Sequence, residues 1–172
     1  MKQVEKSMLL LAGISGIAAF FLPFLHLAKF LKLDLFYSGW TVLQAVLDQA
    51  GLISSKGGSR LAGFVADQWQ SSAELMDYVG FVGMILLLLA PFFLALFSTG
   101  YLIKGIKGGS YKTGLIFFLS FSFFIWLSLF MGGQEYHLTI NFFKRAGLGY
   151  WLAGGSILLA WISGIIGRLS RG

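Results

Sequence analysis

The 172 residues contain no cysteine, so disulfides, thiolate metal sites and cysteine nucleophiles are excluded, and any loop must hold its shape without covalent staples. Charge is also scarce: Asp, Glu, Lys and Arg make up 12% of the chain, against 57% hydrophobic residues and a mean hydropathy of +0.80. Soluble domains carry about 25% charged residues, so a large aqueous domain is excluded. There are only two histidines and two prolines. No GxSxG elbow accompanies the intramembrane serines, no His-x-x-Glu-His pattern occurs, and haem attachment through CxxCH is impossible. The chain also lacks an internal repeat, which argues against a transporter built from duplicated halves.

What is abundant is apolar sequence in long runs. Met8 to Ala28, Tyr78 to Ile103, Thr113 to Met131 and Leu148 to Ile166 are each long enough to cross the ~30 Å hydrocarbon core as a helix. The expected fold is an all-α membrane protein: one four-helix transmembrane bundle with helices over about 8–28, 73–103, 113–131 and 148–167. An outer loop over about 29–72 carries short amphipathic helices. The first run exceeds a signal-peptide core of ~7–15 residues, carries Pro23 and His26 and lacks a small-x-small cleavage site, so it reads as a retained anchor.

The net charge of +6 is placed by topology. Lys2, Lys6, Lys104, Lys107, Lys112, Arg168 and Arg171 occupy three short segments at membrane ends, which the positive-inside rule puts in the cytoplasm together with both termini. Six of the seven acidic residues fall in the outer segments. The surplus is topogenic, and nucleic acid is not an expected partner.

Within the runs, small residues mark where helices can approach. Ala12 and Gly16 in the first, and Ser156, Ala160 and Gly164 at four-residue spacing in the last, form small-xxx-small faces suited to helix packing or to a partner. Pro23 is expected to kink the first helix. In the loop, Ser38-Gly39-Trp40 reads as a turn, Val42, Leu43, Val46 and Leu47 as a helix ended by Gly51, and Ser54 to Ser59 as a flexible tip. Leu61, Phe64, Val65 and Trp69 follow as a second short helix or interfacial stretch, with Trp40 and Trp69 as loop-packing residues. Ser71-Ser72-Ala73-Glu74 has the pattern of a capping box. Tyr78, Tyr136, Tyr150, Trp151, Tyr101 and Tyr111 fall where aromatic belts belong.

Candidate chemistry is thin. His26 is the sole titratable group inside a predicted span, and with His137 and Glu135 on the same outer side it could ligate a metal or a haem. The eighteen phenylalanines could sheath a pigment, although lipid-facing or core packing accounts for them. No resident cofactor is expected from these patterns.

The layout of inner N-terminus, large first outer loop and short second outer loop resembles the claudin-like tetraspan plan. Leu22-Pro23-Phe24 followed by Ser38-Gly39-Trp40 is similar to small bacterial four-helix membrane proteins. The chain departs from claudins in lacking the paired loop cysteines and the full Trp/Gly-Leu-Trp signature, so barrier function is not implied. The functional expectation is a non-enzymatic integral membrane accessory subunit, in a bacterial inner membrane, packing against lipids and other membrane subunits or copies of itself. The alternatives are a homo-oligomeric channel or small-solute carrier, and an electron-transfer subunit bearing haem or pigment on His26 and His137.

Overall fold

The computed structural model describes residues 2–26, 36–71, 75–107, 113–133 and 146–169. Its elements in chain order are α1 (Lys2–Phe21), β1 (Leu25–His26), β2 (Phe36–Tyr37), α2 (Gly39–Gln49), α3 (Lys56–Ser71), α4 (Leu75–Lys107), α5 (Thr113–Gly133) and α6 (Leu148–Leu169). Among the described residues, three helical stretches are long and apolar enough to cross a membrane: Gln3–Phe21, Ile85–Lys107 and Leu148–Leu169. At 1.5 Å per residue, even the shortest of these reaches ~28 Å. The chain is an integral membrane protein.

The first helix stops earlier than its apolar run. It ends at Phe21, where the run continues to Ala28, and Pro23 lies beyond the helix and does not kink it. A proline disfavours helical backbone at the residue before it and cannot donate into the next turn. The chain turns instead into an extended segment whose polar groups are taken up by other parts of the protein. Phe24 N–H donates to Tyr37 O at 2.7 Å, Gly147 N–H to Phe24 O at 2.8 Å and Gly149 N–H to Pro23 O at 2.8 Å. The last two satisfy donors at the start of α6, which an isolated helix would leave open. Leu25 and His26 pair antiparallel with Tyr37 and Phe36, so His26 sits in a two-residue strand and not in a membrane-spanning helix.

The hairpin α2–α3 is held by local chemistry. Ser38 is the N-cap of α2: its hydroxyl accepts from Thr41 N–H while its own N–H donates to the Thr41 hydroxyl at 2.7 Å. Ser38 to Trp40 is thus a helix start and not a free turn. Gly51, at φ +70°, closes α2 in a Schellman arrangement, with Leu52 N–H on Leu47 O and Gly51 N–H on Asp48 O. The expected flexible tip is largely helical, because α3 begins at Lys56 and the Ser55 hydroxyl accepts from Gly58 N–H. Asp48 latches the two helices, accepting from Ser55 N–H and the Ser59 hydroxyl. The expected capping box reaches residues 72–74, which lie outside the described residues.

The long helices alternate in direction. Gly13 of α1 lies against Leu102 and Leu10 against Gly105, so α1 and α4 are antiparallel. Glu5 lies against Gly167 and Ala19 against Gly149, so α1 and α6 are antiparallel too. On the other side, α5 packs on α4 through Tyr101–Ser120 and Phe97–Phe123, and on α6 through Phe124–Tyr150. The start of α1 and the ends of α4 and α6 therefore gather Lys6, Lys104, Lys107 and Arg168 at one end of the bundle.

Candidate functional site

The small residues meet in a seam between α1 and α6. On α6 the buried positions include Gly149, Ala153, Ser156, Ala160, Ser163 and Gly167, recurring at alternating spacings of four and three, with Tyr150 and Ile157 buried beside them. On α1 Leu9, Ala12, Gly16 and Ala19 follow the same alternation. An average step of 3.5 keeps a stripe facing its neighbour along a left-handed crossing, whereas a strict step of four drifts around the helix. Gly164, placed by the four-residue spacing in this row, accordingly lies beside the seam, half-buried, with nothing within 4 Å of where its Cβ would be. Ser163 and Gly167 take the row onward instead. Ser156, Ala160, Ala12 and Gly16 all lie in the interior of the chain itself.

Small side chains alone do not hold a seam in lipid, where no hydrophobic drive brings helices together. Here hydroxyls bridge it. Ser156 donates to Ala12 O at 2.6 Å and Ser163 to Glu5 O at 3.0 Å, so α6 is bonded to the backbone of α1 two turns apart. A Cβ on Gly16 would collide with the Ser98 hydroxyl of α4 and the Ser156 hydroxyl of α6, placing Gly16 where the three helices meet. Ser98 donates to its own helix at Leu94 O, 2.8 Å, and Tyr101 bonds Ser120 across to α5. No buried side-chain nitrogen or oxygen among the described residues lacks a hydrogen-bond partner.

A second polar contact repairs α4 at its proline. Pro91 has no N–H, which leaves the carbonyl four residues earlier, on Leu87, without its helical donor. The Tyr37 hydroxyl supplies one at 3.0 Å. Tyr37 is fully buried against Phe24, and burial pushes its phenol pKa well above the ordinary value. Sequence reading passed over Tyr37; the signal available was a proline inside an apolar run, which requires a donor from elsewhere. Tyr101 and Tyr150 also differ from expectation. Both are buried in the bundle and do not belong to an interfacial belt, while Trp151 is exposed.

An apolar groove of about 630 Å³ lies between the hairpin and α4. Val42, Ala45, Val46 and Gln49 line it from α2, Leu61, Ala62, Val65 and Ala66 from α3, and Ile85, Leu88 and Leu89 from α4. Trp40 stands at the start of the hairpin, partly exposed and 6.0 Å from the Phe21 ring.

The suggested ligand set lies outside the described residues. Glu135 and His137 lie outside them, as does the side chain of His26, and of Trp69 only the backbone within α3 is described. No group of three His, Asp or Glu side chains suited to a metal occurs among the described residues. No protein family, curated protein or solved structure matches this chain.

Proposed function

We propose that this chain is a non-enzymatic subunit of a membrane complex, with α5 as a fourth transmembrane helix, both termini cytoplasmic and a bacterial inner membrane as its setting. The observation that carries this reading is the state of the interior. Its buried hydroxyls are committed to helix backbone or to each other, and its seam is closed by glycine, alanine and serine, so the bundle is a packed scaffold. What remains available is the outside. On α6, Trp151, Leu158 and Ile165 are exposed opposite the seam, and Gly155 among them has nothing within 4 Å of its Cβ position. That surface suits a partner helix or lipid. The gathered lysines and Arg168 support a cytoplasmic placement of that end.

The test is purification of the tagged full chain in mild detergent, with mass spectrometry and an absorption spectrum of what accompanies it. Stoichiometric membrane partners, lost on Gly155→Leu with the fold retained, are expected. A colourless protein that runs alone or only with itself would sink the subunit reading and favour the channel or carrier; visible absorbance would favour the electron-transfer subunit.

A further inference from the structure

The groove between the hairpin and α4 has a specific relation to the membrane. Ile85, Leu88 and Leu89 open the stretch of α4 that is long and apolar enough to cross a bilayer, so the floor of the groove lies at the end of that stretch away from Lys104 and Lys107. Leu89 also belongs to the exposed apolar row of α4, which continues through Phe93, Leu96 and Ile103. Groove and lipid-facing surface are thus one continuous apolar face. With α4 across a bilayer, acyl chains reach the groove along that face.

The dimensions narrow the occupant. A cavity of about 630 Å³ falls within the ~300–1,000 Å³ of small-ligand sites. One flexible hydrocarbon chain fits. Among the described residues the lining contains a single polar side chain, Gln49, exposed at the end of α2, so an occupant is apolar along its length with at most a hydrogen-bonding group at one end. That is the pattern of a chain joined to an ester.

We propose that this groove is a lipid-binding site that takes one acyl chain of a bilayer phospholipid, with the ester end at Gln49. The site rests on the membrane placement of α4 and is independent of the subunit reading: it is occupied whether the protein works alone or in a complex.

The experiment uses the full chain in vesicles of phosphatidylethanolamine and phosphatidylglycerol doped with a phospholipid carrying a photoactivatable diazirine in its acyl chain. Adducts are mapped by peptide mass spectrometry. The expected adducts fall on Leu61 and Val65, which line the groove, in addition to Leu96 and Ile103 on the lipid-facing row. Ala62→Phe and Ala66→Phe fill the groove and should lower the Leu61 and Val65 adducts several-fold, leaving those on Leu96 and Ile103 unchanged. A free fatty acid with the same diazirine should label the groove less than the phospholipid does; equal or stronger labelling would overturn the phospholipid assignment. Wild-type adducts confined to the lipid-facing row, or spread over α3 onto Arg60 and Asp67 as for a helix merely lying on the bilayer, would overturn the site. Because the wild-type map discriminates by itself, the test holds even if a filled-groove variant fails to fold.

Discussion

A proline in a helix leaves one carbonyl without its donor, and at Leu87 the Tyr37 hydroxyl takes that place from outside the helix. Replacing Tyr37 by Phe keeps the ring and removes the donor, so an unsatisfied buried carbonyl should cost about 1–3 kcal/mol. A lower melting temperature of the purified variant checks this. The same residue carries an alkaline dependence. Near pH 10 the unfolded chain gives up the phenol proton, while the folded chain, with its pKa raised by burial, retains it. The folded state then binds more protons, so stability is level below about pH 10 and falls as pH rises beyond it. Urea titrations across that range should show the fall in the wild type and a smaller one in Tyr37→Phe. At Gly16, an added methyl meets Ser98 and Ser156, and Gly16→Ala should cost about 1–3 kcal/mol through overpacking. Ser98→Gly in the same chain should return part of that loss, giving a non-additive cycle.

Among elements, α6 has two sides that small residues alone do not distinguish. Ala160 is buried in the seam against α1, whereas Gly164 borders open space. Ala160→Leu should therefore broaden or abolish the monodisperse peak in size-exclusion chromatography, and Gly164→Leu should leave it unchanged; equal damage from both would refute the seam. The hairpin depends on Asp48, which accepts from both Ser55 and Ser59. Asp48→Ala should loosen the connection between α2 and α3, and limited proteolysis should then cut at residues 50–55 faster than in the wild type.

For the whole molecule, the antiparallel order of α1, α4 and α6 brings basic helix ends together, and this predicts sidedness. The natural chain has no cysteine, so single cysteines report without background. A cysteine at Lys107 should react with an impermeant maleimide only after the cells are opened, and one at Leu52 in intact cells. The reverse pattern would invert the topology.

Residence in a membrane was legible from sequence, because it depends only on the length and apolarity of local runs, and so was a short helix through Val42 to Leu47 ended by Gly51. The end of α1 was misjudged since hydropathy does not register that Pro23 and Phe24 offer their carbonyls to Gly149 and Gly147, more than a hundred residues away. In α4 and α5, apolar on nearly every side, hydrophobic pattern cannot identify the buried face. Small residues located the seam on α6 but not its course, because the stripe follows the crossing of two helices, a property of the pair. The Tyr37 repair and the groove are likewise relations between distant segments. The sequence by itself determined the solvent this protein lives in; the tertiary structure decided which small residues face inward, which carbonyls are satisfied and where a cavity opens, because each depends on what lies opposite.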